Sequence, residues 1–223
     1  MKYFISITAF IAFIAVCYFA LKPTPSNELA KDLALPWQIE QLADGGTQVF
    51  GVRPGTTTVA DSLRILGEDH DLAIIIDRND VAGLEIYFSH FKAGPLAGKL
   101  ILSVKAEKAQ LEEMATHANK SSYMASGSRK FELNREDLSN IQSLPVDGIS
   151  FLPGASLSRE IIEQRFGRAD EEISLGESLY FLYPAVGLSI SLNEQAKEVL
   201  QYVHPKDFDS MRAPLVRTSA ETH

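Results

Sequence analysis

The stretch PGTTTVADSLRILG, Pro54 to Gly67, recurs in outline about 100 residues later as PGASLSREIIEQRFG, Pro153 to Gly167. Each copy opens on Pro-Gly, continues with small residues, several of them hydroxylic, and ends on Leu-Gly or Phe-Gly after a short amphipathic segment. In the first copy Thr57 or Thr58 can cap the start of a helix. A glycine at the end of each copy suits the left-handed backbone conformation that terminates a helix. The pattern therefore predicts two short helices that have the same kinds of N-terminal and C-terminal capping residues.

A phosphate-binding loop is the other interpretation of glycine and threonine at a helix start. Such loops follow G-x-x-x-x-G-K-[ST] or G-x-G-x-x-G, and neither copy contains either pattern. Apolar residues of the first copy recur instead at the spacing of one helical face, at Val59, Leu63 and Leu66. We interpret both copies as structural.

Short apolar runs follow each copy. The first is followed by DLAIIID, LEIYFSHF and KLILSVKA, and the second by EEISL, SLYFLYP, VGLSISL and EVLQYV. Runs of this length between turn residues are typical of strands. The fold class predicted is therefore α+β, with two repeated helix-plus-antiparallel-sheet units after an N-terminal transmembrane helix.

These repeats resemble the SmpA/OmlA (BamE-like) superfamily of small envelope proteins and the tandem units of the β-lactamase inhibitor proteins. The likeness is carried by Gly55-Thr56-Thr57, Leu66-Gly67 and Leu84–Phe88, and by Gly154-Ala155-Ser156, Phe166-Gly167 and Leu179–Tyr183. The pattern LPW…VFG…LG…LQYV also resembles that of proteobacterial membrane-anchored proteins. The resemblance implies binding of other proteins on a sheet face. The chain departs from the family at its lipobox, because Val16 precedes Cys17.

The N-terminus contains 19 uncharged residues, Tyr3 to Leu21. A helix of this length spans roughly 28 Å, close to the thickness of a hydrocarbon core. No small-x-small cleavage site follows, because the next residues are KPTPSNE. We predict a signal anchor, with the protein single-pass in the inner membrane and its C-terminal domain periplasmic. The alternatives are a cleaved signal peptide, which gives a secreted or periplasmic protein, and lipidation of Cys17.

The predicted organisation has six segments. They are a signal anchor or transmembrane helix at 1–22, a linker at 23–36, a first α+β repeat with an N-terminal hairpin at 37–105, a mainly helical connector at 106–147, a second α+β repeat at 148–208 and a disordered tail at 209–223. The hairpin is predicted around Asp44-Gly45-Gly46, because glycine adopts positive φ without strain.

Charge and cysteine content exclude several classes of protein. The chain carries 29 acidic and 21 basic residues, so its net charge is −8. It has no long basic tract, which argues against a nucleic-acid partner. The lipid bilayer is expected as a partner only through the N-terminal helix. Cys17 is the sole cysteine, so disulfides and zinc-thiolate sites are excluded from the exported part.

No catalytic motif stands out. The serine patterns of hydrolases are absent, and the five histidines have no metal-binding spacing. The acidic run GEDHD, residues 67–71, offers metal-type ligands, but adjacent residues rarely converge on one ion, so we interpret it as a polar turn. We expect no enzyme activity, no cofactor and no metal site.

Two aromatic strands carry the candidate partner-binding residues. An antiparallel sheet has only one face covered by a helix, so aromatic side chains on the other face suit a protein interface. The candidates are Tyr87, Phe91, Tyr180 and Tyr183, with Glu85 beside them. The alternative is that the aromatic residues fill the contact between the two repeats.

The sequence favours a non-catalytic periplasmic, inner-membrane-anchored module that binds or scaffolds another envelope protein. Tethering raises the local concentration near such a partner. The alternative is a small-ligand or lipid-binding periplasmic protein with a pocket between the repeats.

Overall fold

A computed structural model describes residues 34–221, apart from residues 79, 81, 125 and 194. The strands in this part of the chain are β1 (Glu40–Gln41), β2 (Thr47–Gln48), β3 (Asp71–Ile76), β4 (Ala82–Ala93), β5 (Leu96–Val104), β6 (Lys120–Tyr123), β7 (Arg129–Glu132), β8 (Val146–Pro153), β9 (Glu171–Leu175), β10 (Ser178–Tyr183), β11 (Leu188–Asn193) and β12 (Val199–Val203). The helices are α1 (Val59–Leu66), α2 (Lys108–Thr116), α3 (Arg135–Asn140), α4 (Arg159–Phe166) and α5 (Phe208–Glu221). Short 3-10 turns lie at Pro184–Val186 and Pro205–Asp207.

Helices α1 and α4 begin and end in the same way. The side chain of Thr58 accepts a hydrogen bond from the amide three residues on at 3.1 Å, and Ser158 does so at 3.3 Å. Gly67 and Gly167 follow the last turns with φ of 102° and 82°, and their amides bond back into the helix. The cap predicted at Thr57 or Thr58 is confirmed at Thr58, whereas the second copy is capped by Ser158, because its extra residue lies before that serine. Both helices therefore have the same length, 8 residues.

The N-terminal hairpin is also confirmed. Glu40 pairs with Gln48 across it, and Gly45 takes a φ of 80° in the turn. The side chain of Asp44 accepts a hydrogen bond from the Gly46 amide at 3.1 Å, as aspartate commonly does in tight turns.

The predicted fold class is wrong, because the two groups of strands do not form separate sheets. They join in one ten-stranded sheet of order β6-β7-β3-β4-β5-β8-β12-β11-β10-β9, and every pairing is antiparallel. Strand β8 makes the connection, since its Phe151 lies between Leu100 of β5 and Leu200 of β12. Both edges of β8 are hydrogen-bonded, so neither group has a free edge there.

The hydrophobic core lies on one side of this sheet. We call this side the inner face; it carries Ile86, Leu102 and Ile149, which are cross-strand neighbours and almost completely buried. Helices α1, α2 and α4 pack against it through Val59, Leu111 and Ile162. The opposite side is the outer face.

Part of the outer face is covered by α5, which differs from the disordered tail predicted for 209–223. A second cluster joins Phe208 at the start of α5 to Ile173 and Leu182 on β9 and β10. Arg212 adds two hydrogen bonds to the Glu171 carboxylate, at 2.6 and 2.9 Å. The segment 106–147 contributes strands β6 and β7, at one edge of the sheet, besides α2 and α3.

The membrane prediction needs correction as well. No helix within the described residues is long and apolar enough to cross a membrane, contrary to the transmembrane helix and signal anchor predicted from the sequence. The segment 1–22, on which that prediction depends, lies outside the described residues. The predicted single-pass inner-membrane location therefore forms no part of the function proposed below.

Candidate functional site

The five candidate binding residues do not lie together. Glu85 and Tyr87 alternate with the buried Leu84, Ile86 and Phe88 and so lie on the outer face, half-buried. The other three candidates, all aromatic, lie within packed parts of the molecule.

Phe91 lies in the core, although simple alternation from Tyr87 predicts the outer face. The pairing of β4 with β5 shifts register between Phe88 and Phe91, and such a bulge reverses the alternation of side chains. Phe91 consequently packs on the inner face, with its ring centroid 5.1 Å from that of Phe50 and 5.9 Å from that of Phe151.

Tyr183 is also a core residue, only 6% exposed. Its hydroxyl donates a hydrogen bond of 3.0 Å to the Gly167 carbonyl, where α4 ends. Burial, together with the nearby acidic side chains, raises the pKa of Tyr183 to about 12. This tyrosine supports the helix rather than a binding surface.

Tyr180 lies on the outer face beneath α5. It pairs with Ile173 of β9 and belongs to the cluster that packs against Phe208. The chain itself therefore covers Tyr180.

An uncovered, partly apolar area remains on the outer face of β3, β4, β5 and β8. We call it the open face and define it by four half-buried side chains, Ile75, Tyr87, Ile101 and Leu152. Tyr87 and Ile101 are directly opposed across β4 and β5. Within the described residues, none of the four belongs to either hydrophobic cluster. They are therefore apolar side chains that no described helix covers.

Glu85 is the charged group at the centre of the open face. It lies between Ala73 on β3 and Ser103 on β5 in the sheet register. Burial raises the pKa of the Glu85 carboxyl. No hydrogen bond or ion pair joins this carboxyl to another residue in the part of the chain that the structure describes.

The two ends of the open face differ in charge. Beyond β3, two ion pairs lie along the outer strands, Asp71 with Lys130 at 3.4 Å and Lys120 with Glu132 at 3.5 Å. At the other end a groove of about 340 Å³ is lined by Lys92, Lys99 and Lys197. This end is basic, although the whole chain has a net charge of −8.

Neither the candidate residues nor the acidic run forms a described metal site. No group of three or more His, Cys, Asp or Glu side chains arranged to hold a metal occurs among residues 34–221 outside the four gaps. In the acidic run, the His70 ring lies 5.7 Å from the Phe88 ring. The absence of enzyme activity, cofactor and metal remains a prediction.

Sequence reasoning missed the apolar neighbours of Tyr87. Ile101 lies in KLILSVKA, where Leu100, Leu102 and Val104 are buried and the residues between them face outward. The alternation that placed Glu85 outward also places Ile101 outward. That signal was present in the sequence, whereas the cover over Tyr180 depends on a distant helix.

No family model, curated protein or solved structure matches this chain. The resemblance to BamE-like proteins therefore remains a prediction, and the function is argued from the geometry of the open face.

Proposed function

We propose that this protein is a non-catalytic binding module and that its partner is another protein, which places an amphipathic helix on the open face. The observation that carries the proposal is the contrast between the two halves of the outer face. One half is covered by α5, and the other leaves half-buried apolar side chains around a carboxylate with no described partner.

Helix α5 indicates how such a surface is covered. Its Phe208 and Met211 pack on the apolar strands, while Arg212 binds Glu171 of β9. Glu171 is paired with Leu182 and thus lies on the outer face, as Glu85 does. A partner helix that covers the open face needs the same two elements, an apolar stripe and a cation opposite Glu85.

Charge also specifies the partner's orientation. Lys92, Lys99 and Lys197 lie at the end of the open face near the β4–β5 turn. Acidic residues at one end of the partner helix complement them, and complementary charge favours both the rate and the register of docking. The partner is therefore a helix with apolar residues along one face, a central Lys or Arg and an acidic end.

Site-specific photocrosslinking tests the proposal in cells that express the full-length chain. A photoreactive benzoylphenylalanine replaces Tyr87, and the matched control places it at Leu138, which is 37% exposed on α3. We expect one protein to be attached from position 87 and not from position 138. Peptide mapping of that adduct should locate an amphipathic helix of the stated charge pattern.

The identified protein is then purified and its affinity measured. Tyr87→Ser and Glu85→Gln should each weaken binding by roughly tenfold or more, because an interfacial charge loses its pair or an aromatic anchor is removed. Glu113→Gln, an exposed change on α2, should leave affinity unchanged. Equal adducts from both positions, or no adduct from position 87, would contradict the proposal. An adduct to a second copy, or to residues 1–33 of the same chain, would identify a different occupant and contradict it too.

A further inference from the structure

A cavity lies on the inner face, away from the open face. Its volume is about 220 Å³, and its walls come from α4, from the strands around β8 and from the segment before β1. The apolar lining that matters here consists of Trp37, Phe151, Leu157, Ile161 and Phe166. Ile161 is 39% exposed, which is unusual for a large apolar side chain and marks the side open to solvent.

Aromatic rings and one cation form the wall nearest α4. Trp37 meets Phe166 edge-to-face, with 6.3 Å between ring centroids. The Arg165 guanidinium lies 4.7 Å from the centre of the Trp37 ring, within the range of a cation–π contact. No carboxylate in the described part of the chain pairs with this guanidinium, so it keeps its hydrogen-bond donors available.

Size and chemistry together limit the ligand. A cavity of about 150 Å³ admits benzene, so this one suits an apolar body of roughly eight or nine non-hydrogen atoms, with the carboxylate outside it at the rim. It lies below the range of about 300–1,000 Å³ that is typical of larger ligands. The walls favour an apolar body, and a planar guanidinium favours a carboxylate at the end of that body.

We propose that this cavity binds a small apolar carboxylate, with its hydrocarbon chain against Trp37 and Leu157 and its carboxylate at Arg165. The cavity lies on the opposite side of the sheet from the open face and shares only Pro153 with the lysine-lined groove. Ligand binding in the cavity can therefore be tested independently of the partner binding proposed for the open face.

Fluorescence measures occupancy directly, because Trp37 is the only tryptophan of the chain. Purified full-length protein is titrated with octanoate, and with octylamine and octan-1-ol as probes of equal chain length. Isothermal titration of the same samples measures binding without depending on the Trp37 signal. We expect saturable binding of octanoate, tighter than that of the alcohol and the amine.

The variant Arg165→Gln isolates the contribution of the guanidinium. It should reduce the affinity for octanoate by roughly threefold to tenfold, as expected for an ion pair at an accessible rim, and leave the alcohol unaffected. The matched control is Arg168→Gln, an exposed change just beyond the end of α4 and outside the cavity lining. Thermal unfolding of both variants excludes loss of folding as the cause.

Three results would overturn the proposal. The first is no saturable binding of any probe, which would leave the cavity without a ligand of this class. The second is equal affinity for the three probes, or a preference for octylamine, either of which excludes a carboxylate site. The third is an equal effect of Arg165→Gln and Arg168→Gln, which would show that general surface charge governs binding.

Discussion

Glu85 combines a half-buried carboxylate with the absence of any described hydrogen-bond or ion-pair partner. Burial raises its pKa above the ordinary value of 4.5, so the folded state favours the protonated form. The stability linked to this group is therefore complete below its unfolded pKa and is lost as pH rises through the higher folded pKa. We predict that Glu85→Gln raises the free energy of unfolding near pH 7.

The advantage of this variant over wild type should shrink as pH falls through the raised folded pKa of Glu85 and should be smallest below 4.5, where both side chains are neutral. Urea unfolding of both proteins at several pH values measures the difference. Glu113→Gln on α2 controls for the loss of one negative charge at an exposed position. A stability change of Glu85→Gln that is independent of pH, or equal to that of the control, would show that burial of Glu85 has no energetic effect. Glu85→Gln is therefore expected to raise the free energy of unfolding while it weakens partner binding.

Tyr183 and Tyr87 were equivalent candidates in the sequence. In the fold, the Tyr183 hydroxyl is hydrogen-bonded in the core, whereas Tyr87 lies on the half-buried outer face. We predict that Tyr183→Phe costs about 0.5–1.5 kcal/mol of unfolding free energy, because its hydrogen bond to the Gly167 carbonyl is lost. Tyr87→Phe should change stability by less than about 0.5 kcal/mol. Thermal and urea unfolding of the two variants compare them directly.

The pH dependence of Tyr183→Phe provides a second check. The pKa of Tyr183 is raised from 10.0 to about 12, so wild type loses stability as pH rises between these values, while the phenylalanine variant does not lose this contribution. The gap between wild type and variant should therefore narrow in this window. A gap that stays constant would mean that burial does not govern the ionisation of Tyr183.

Residue-level alternation was enough to predict which way Glu85 and Tyr87 face, because it depends only on the local pleat of β4. It failed for Phe91, since a bulge in β4 reversed the pattern. It failed for Tyr180 for another reason: α5, which covers Tyr180, follows 28 residues later in the chain. The alternation of apolar and polar residues within one strand indicates neither a bulge in that strand nor a helix from a distant part of the chain that covers it.

At the scale of elements, α5 depends on tertiary packing. Pro214 lies within it, and proline is unfavourable inside a helix. The sequence predicted a disordered tail because RAPLVRTSAETH lacks periodicity, whereas α1 and α4 carry capping residues that make their ends predictable. Packing of Phe208 against Ile173 and Leu182 stabilises α5 in the structure.

This dependence leads to a prediction for Phe208, which is 2% exposed. Phe208→Ala should cost about 3–5 kcal/mol, because a large aromatic side chain leaves a packed site. Arg217→Ala, an exposed change on the same helix, should cost less than about 0.5 kcal/mol. Urea unfolding measures both, and hydrogen exchange of the α5 amides shows whether the helix has detached. Similar small losses in the two variants would indicate that α5 does not depend on Phe208.

At the scale of the whole molecule, pairing between distant strands was beyond sequence reasoning. The sequence predicted two helix-plus-sheet units, and each apolar run was placed within its own unit. The junction depends on β8, which forms hydrogen-bonded pairs with β5 on one side and β12 on the other. Nothing in the composition of a single strand specifies which two partners it takes, because pairing is decided by packing of the assembled core.

Because the sheet is continuous, its two halves share one hydrophobic core and should unfold together, which two separate units need not do. Inner-face residues of both halves, including Phe88 on β4 and Ile190 on β11, belong to one hydrophobic cluster. We predict that Phe88→Ala, which removes a side chain only 3% exposed, costs about 3–5 kcal/mol. Native-state hydrogen exchange should then show equal losses of protection for the slowest amides of β4 and β11, since both exchange through the same global opening. Leu138→Ala, at an exposed position on α3, is the control. A loss confined to β4, with β11 unchanged, would mean that the two halves unfold independently despite sharing β8.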